Sequence, residues 1–249
     1  MTKISAIIPT LNEEIHIADA IKSLDFADEI IVIDSFSTDK TLEIAEKLNV
    51  KIIKRKFDDF SSQKNFAISQ AKHSWIYILD ADERVTSEVK KEILEAVKSP
   101  NNKVGFYVRR SFYFAGKHIH YGGCQRDKVV RLFLKEYCKY EGVVHETIKS
   151  EGDLGFFKNK IAHYSYKNYD HYISKMNHYG ALRGMQYFKE GKKANLFHFM
   201  LKPPARFFIH YFIRFGFLDG FAGFVFAKVQ AYGVYTRYVK LRLMHKNKS

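Results

Sequence analysis

Cysteine is scarce in this 249-residue chain, which has only Cys124 and Cys138. Neither stands in a CxxC or CxxH spacing, so no zinc site is expected, and one possible pair makes no disulfide framework. A reducing, cytosolic setting is the simpler expectation. Acids are also in short supply. There are 27 Asp and Glu against 41 Lys and Arg, which gives a formal charge of +14 and a pI near 9.5. Such a surplus points to an anionic partner: nucleic acid, an acidic membrane face or a phosphorylated substrate. No window holds 18 uncharged apolar residues, so no conventional membrane-spanning helix is predicted. The six-residue apolar stretch near the start is broken by Pro9 and is too short for a secretory signal. Internal repeats and low-complexity segments are absent. So are GxGxxG after the first apolar run and GxxxxGK[ST] anywhere, which removes the physical anchor for a dinucleotide site or a P-loop.

What is present is an alternation. Apolar runs at 4–8, 29–33, 51–54 and 75–79 read as strands. Between and after them, 12–24, the stretch beyond Asp34 to 48, 61–71 and 86–97 carry helical periodicity. Ser37, Thr38 and Asp39 are candidate caps for the second helix, and Thr86 for the fourth. Repeated strand–helix–strand units with apolar strands predict an α/β fold with a mostly parallel sheet covered on both faces. Ligands of such sheets bind beyond the carboxyl ends of the strands, and Asn12, Asp34 and Asp80 all fall there. Residues 104–163 are β-rich with glycines at bends, and from about 164 onward the chain is helical and aromatic.

The segment "IYILDADERV" sets Asp80 and Asp82 two positions apart just past an apolar strand. Carboxylates so placed repel unless a divalent cation is shared between them, and a cation there would also draw in a diphosphate. A solvated acidic turn is the plain alternative. The segments "PTLNEE", "DSFSTD", "SQKNFAI" and "LDADE" follow successive strands in order. This order resembles a family 2 glycosyltransferase with a GT-A fold, and more narrowly the bacterial branch that assembles the lipopolysaccharide core. "YGGCQRDKVVRLF", "YEGVVHETI", "HYSYKNYDHYISKMNHYG" and "RFFIHYFIRFGFLDGFAGF" extend the resemblance over nearly the whole chain.

The resemblance implies a metal-dependent, inverting transfer from a nucleotide sugar, UDP-glucose first and ADP-heptose next, to a lipopolysaccharide-core or other lipid-linked acceptor. It divides the chain into a catalytic domain, 1–163, and a helical extension, 164–249. Within the catalytic domain, 1–100 would bind the nucleotide sugar and 101–163 the acceptor. Pro9, Thr10, Asn12, Glu13 and Asp34 would hold uracil and ribose, with helix capping the alternative for Asn12 and Asp34. Lys64, where relatives carry arginine, would meet the nucleotide or its phosphates. Asp82 would ligate Mg²⁺ or Mn²⁺, while Asp80 and Ala81 lie nearer the ribose or Asp80 bridges through water. His163 would complete the metal shell, with a structural histidine the alternative; His145 is the other histidine of note. Glu83 would add only field, with a part as an outer-shell acid the alternative. Asp127 is the first candidate for the base that takes the acceptor's proton, and Glu146 the second. Arg131 would face the diphosphate, or else pair with Asp127.

Residues 196–249 hold fourteen Phe and Tyr, nine Lys and Arg and one acid, Asp219. Aromatics among cations suit either single-stranded nucleic acid or a membrane interface. Small residues such as Gly216, Gly220 and Gly223 favour packed helices, so an anionic membrane surface is expected and nucleic acid is not. The implied place is the inner face of the cytoplasmic membrane, reached through 196–245; the alternative is a helical subdomain packed on the core. A basic membrane- or nucleic-acid-binding module without catalysis explains the charge but not the ligand-edge motifs. A nucleotidyltransferase shares the metal logic and differs in releasing pyrophosphate.

Overall fold

The computed structural model describes residues 2–114, 116–124, 127–142, 146–166 and 168–247, and His145 lies outside them. The chain divides into two units: Met1–Arg110 with Lys128–His163, and Ser111–Asp127 with Tyr164–Ser249.

In the first unit the apolar runs become β1 (Ile4–Thr10), β2 (Glu29–Asp34), β3 (Lys51–Lys54) and β4 (Trp75–Ile78). Their hydrogen bonding is parallel, in the order β3-β2-β1-β4. Alternate side chains leave on opposite faces, and both faces are buried. Ile4, Ala6, Ile8, Val32, Trp75 and Tyr77 enter one core, and Ile7, Ile31, Ile33, Ile76 and Ile78 the other. This is why the strands read as unbroken apolar runs. The first core is covered by α1 (Ile17–Lys22), through Ile17, Ala20 and Ile21, and by α4 (Ser87–Lys98), through Val89, Ile93, Ala96 and Val97. Ala67 and Ile68 of α3 (Phe60–Ser69) cover the second. Thr86 caps α4 by accepting the Val89 N–H. A shorter α2 (Thr41–Glu46) follows β2, with Asp39 accepting the Thr41 N–H.

The sheet then turns antiparallel. Its second half runs β8 (Lys128–Leu134), β6 (Gly105–Phe114), β11 (Leu154–Tyr166) and β5 (Glu83–Arg84), with β8 against β4. The sheet is therefore mixed: a parallel half for the alternating region and an antiparallel half for the β-rich one. β9 (Cys138–Glu141) and β10 (Thr147–Ser150) form a separate hairpin pair.

The second unit begins with the outer end of β6, where Phe112 pairs with Ile119 of β7 (Lys117–Ile119). Its helices are α5 (Tyr169–Lys189), α6 (Leu196–Met200), α7 (Lys202–Phe208) and α8 (Gly220–Lys246). A π-helical turn, Ile209–Ile213, continues α7, and a 3-10 turn, Gly216–Asp219, leads into α8. Gly180 and Gly184 let α5 and α8 approach closely. A Cβ at 180 would lie 2.9 Å from Thr236 Cγ2, and one at 184 would lie 3.1 Å from the Arg237 carbonyl oxygen. Phe114, Ile119, Cys124, Tyr172, Met176 and Phe226 form this unit's main core. Both cysteines are free and buried, and burial pushes the Cys124 thiol up to about 12. No helix of the described residues is long and apolar enough to cross a membrane.

Candidate active site

Parallel register aligns the carboxyl ends of the first strands. Thr10 lies opposite Asp34, and Asp34 opposite Lys54. Beyond them two loops are tied by short polar side chains. Asn12, at φ 55°, accepts the Thr38 N–H at 2.8 Å, and its own N–H donates to Ser37 Oγ at 2.9 Å. Asp34 is fully buried and accepts both the N–H and the hydroxyl of Ser37. Glu13 N–H donates to Thr41 Oγ1 at 2.7 Å. Pro9 and Thr10 are the last residues of β1, with Thr10 buried. Ser37 and Asp39 thus brace loops and do more than cap a helix. The bracing also explains why the first helix starts only at Ile17, since Asn12, Glu13 and Glu14 are drawn toward the second loop.

The acidic turn follows β4. Antiparallel pairing of β8 with β4 sets Leu132 opposite Tyr77, which carries Arg131 to the carboxyl end of β4. Arg131 is 2% exposed and pairs with Asp80, and with Glu83 Oε1 at 2.5 Å. Glu83 has no exposed surface and also meets Arg110 at 3.3 Å. Lys64, on α3, lies 2.9 Å from Glu146 and 3.9 Å from Asp80, and stands over the Tyr140 ring at 4.9 Å. Three carboxylates (Asp80, Glu83, Glu146) are therefore matched by three cations (Lys64, Arg110, Arg131). Burial alone would raise the Asp80 carboxyl, but the Arg131 and Lys64 charges prevail and hold it well below the usual carboxylate range. Against the same opposition from burial, Asp80 raises Lys64, and Asp80 with Glu83 raises Arg131. Both cations are charged at any physiological pH.

Pairing of β11 with β5 places His163 opposite Glu83, beside Asp82. His163 Nε2 is 3.3 Å from Asp82 Oδ2. Neighbouring donors around an octahedral ion with bonds of about 2.1 Å stand roughly 3 Å apart, so the two side chains fit adjacent positions on Mg²⁺ or Mn²⁺. Among the described residues no group of three or more His, Cys, Asp and Glu gathers as a metal site. The chain would thus supply two ligands, and substrate oxygens and water the others, as suits Mg²⁺. Asp80, whose Oδ2 is paired with Arg131, keeps lone pairs that could reach a cation directly or through water.

The fold thus gathers Lys64, Asp80, Arg131 and Glu146, sets Asp82 against His163, and keeps Ala81 buried between the acids. Arg131 pairs with Asp80 and Glu83, which answers its alternative as a partner of Asp127. Asp127 belongs to the second unit, where its N–H donates to the Cys124 carbonyl at 3.3 Å. Sequence reasoning passes over three neighbours of the cluster. Arg110 could have been found as a charge inside an apolar strand. Tyr140, and Tyr77, whose buried hydroxyl has no hydrogen-bond partner among the described residues, carry no such signal. Glu83, expected only to add field, is a buried strut between two arginines.

The sequence profile of Glycosyl transferase family 2 matches residues 5–147. An uncharacterized glycosyltransferase of Rickettsia typhi is 31% identical over 97% of this chain and 87% of its own. The lipopolysaccharide core biosynthesis glycosyltransferase LpsC of Rhizobium meliloti is 28% identical over 94% of this chain and 93% of its own. Among solved structures, glucosyl-3-phosphoglycerate synthase from Mycobacterium tuberculosis, in complex with Mn²⁺, UDP and glucosyl-3-phosphoglycerate, matches 45% of this chain and 44% of that chain. It does so at 20% identity and a TM-score of 0.37, so the chain spans under half of that protein.

Proposed function

Because the chain belongs to glycosyl transferase family 2 and is a glycosyltransferase, we propose that it transfers a sugar, with inversion, from a nucleotide sugar to a lipopolysaccharide-core or other lipid-linked acceptor. UDP-glucose is the first donor and ADP-heptose the second. The acceptor class is taken from the likeness to LpsC. One observation carries the reading of the site: Asp82 and His163 stand at ligand spacing beside two buried cations, Lys64 and Arg131, beyond β4.

Pro9, Thr10, Asn12, Glu13 and Asp34 form the rim against which base and ribose rest; Asp34, which has no exposed surface, reaches a base N–H only when the Ser37 hydrogen bonds that hold it give way. Asp82 and His163 hold Mg²⁺ or Mn²⁺, with Asp80 and Ala81 on the ribose side. When bound, the ion offsets charge developing on the departing nucleoside diphosphate. Lys64 and Arg131 supply fixed positive charge for the same group. A diphosphate arriving at Lys64 competes with Glu146 for its charge, and a carboxylate so released is the stronger base. Glu146 is therefore preferred for taking the acceptor's proton, and Asp127 is the second candidate. In this reading residues 1–163 carry donor binding and transfer, and 164–249 the extension.

The extension rests on an anionic membrane surface. Phe208, Phe212, Ile213, Phe215, Leu218 and Phe221 are all exposed, the last at 79%, on one helix–turn–helix segment that also bears Arg206 and Arg214. Exposed aromatics beside cations suit a lipid interface.

The test is turnover of UDP-glucose and ADP-heptose with a core oligosaccharide-lipid, scored by nucleoside diphosphate release with and without Mn²⁺. Asp82→Asn abolishes release while leaving the circular dichroism spectrum unchanged. Full activity of that variant, or release of pyrophosphate, would refute the assignment.

A further inference from the structure

The second unit contains a group of cations that, among the described residues, form no ion pair with a carboxylate. Arg206, His210 and Arg214 follow one another at intervals of four along α7 and its π-helical continuation, so they share a face. Arg214 Nη1 stands 3.4 Å from His210 Nε2. His210 is 4% exposed, and among the described residues its Nδ1 has no hydrogen-bond partner; neither has the buried Nε of Arg206 or of Arg237. Among the described residues none of these arginines forms an ion pair with an acid. The one acid of the segment, Asp219, spends its two oxygens on the N–H groups of His120 and Tyr121, at 3.1 and 2.8 Å.

This arrangement is built, not incidental. Gly122 N–H donates to the Arg214 carbonyl at 2.9 Å, fixing the turn that carries the arginine. Gly123, at φ +98°, lies so close that a Cβ there would stand 2.4 Å from Arg214 Nη1. Gly123 therefore makes room for the guanidinium, while a Cβ at Gly122 would meet the Phe226 ring at 3.2 Å. Burial first, and then the charges of Arg214 and Arg237, pull Arg206 below the usual guanidinium range. Burial, then Arg206 and Arg214, pull the His210 imidazole down to about 4. Like charges held together in a partly dry place oppose the fold unless an anion joins them.

We infer that Arg206, His210 and Arg214, flanked by Arg237, form a second anion site that takes a phosphoryl group and lies wholly within the C-terminal unit. Guanidinium forks suit phosphate oxygens, and neutral His210 offers a donor that adds no further repulsion. A phospholipid headgroup and a free or acceptor-borne phosphate share this chemistry. The site is independent of the donor pocket, which uses none of these residues.

The experiment compares the full chain with its Arg206→Gln/Arg214→Gln variant on two probes. One probe is inorganic phosphate and pyrophosphate, read as a shift of the thermal midpoint. The other is sedimentation with phosphatidylcholine vesicles, with and without phosphatidylglycerol. The variant binds at least about tenfold more weakly, as expected for losing charge-assisted hydrogen bonds to an anion. Its turnover of a water-soluble, phosphate-free acceptor fragment is unchanged. A difference seen with phosphatidylglycerol alone assigns the site to a lipid headgroup; one seen with the free anions assigns it to a soluble or acceptor phosphate. Either supports the site. Equal responses of variant and parent on both probes overturn it, as does a parent that responds to neither. Arg206→Gln alone, which removes no ion pair, gives the same comparison if the double variant does not fold. Since turnover is measured separately, failure of this site and failure of the transferase reading are told apart.

Discussion

Replacing Glu83 by glutamine probes whether the charge cluster is a balanced structural unit. Glu83 has no exposed surface and contacts Arg131, itself 2% exposed, and Arg110. With three acids and three cations matched, the neutral amide leaves one uncompensated positive charge in the interior. Removing one partner of a buried pair destabilises by about 3–5 kcal/mol. For a chain of this length each kcal/mol moves the thermal midpoint by roughly 2–4 °C, so a fall of about 6–20 °C is expected. Circular dichroism melts at neutral pH are the assay. A companion variant, Glu83→Gln with Arg131→Met, removes the orphaned charge along with its partner and should recover a good part of that loss, because an apolar replacement of a whole buried pair is often nearly neutral. A midpoint within one or two degrees of the parent for Glu83→Gln alone would refute the reasoning, as would a double variant worse than the sum of its parts.

Three further outcomes follow from the same contacts. The imidazole of His210 is held down to about 4, so between that value and its usual 6.5 the unfolded chain binds more protons than the folded one. Stability therefore falls as pH drops through this window, by at most about 3 kcal/mol, and His210→Gln should flatten urea-midpoint curves across it. Asp80 acts in the opposite part of the scale: its depressed carboxyl contributes stability that is complete above the ordinary carboxylate range and lost in stronger acid, and Asp80→Asn should remove that acid limb from the same curves. At Gly184, substitution by valine drives the new side chain into the Arg237–Leu241 backbone, and melts should show a loss of about 1–3 kcal/mol.

Much of the first unit was legible because its signal is local. The apolar runs at Ile4–Thr10, Glu29–Asp34 and Trp75–Ile78 are continuous, since both sheet faces are buried, and Thr86 announces α4. The alignment of the strand ends was legible too, because Asn12, Asp34 and Asp80 each fall at or just past a strand end. What the sequence could not disclose is long-range register. Lys64 and Glu146 are 82 positions apart, and Arg131 reaches Asp80 across 51. His163 meets Asp82 only because β11 runs antiparallel to a two-residue strand. Nor does periodicity show that Ser37 and Thr41 pull the first loop away from helix, which depends on side-chain oxygens meeting backbone N–H groups 25 and 28 residues away. In the tail, composition speaks of cations and rings but not of which cations lack an acid.

Because Lys64 is already paired with Glu146 and Arg131 with Asp80, the proposed donor site presents little standing attraction to passing anions. Entry becomes a matter of exchange: a newcomer gains a cation only by displacing a resident carboxylate, like for like. A bare sugar has nothing to offer in that trade, and a single negative charge can replace only one resident. In the proposed reading a diphosphate can replace both at once, and it would be selected ahead of any contact with base or sugar.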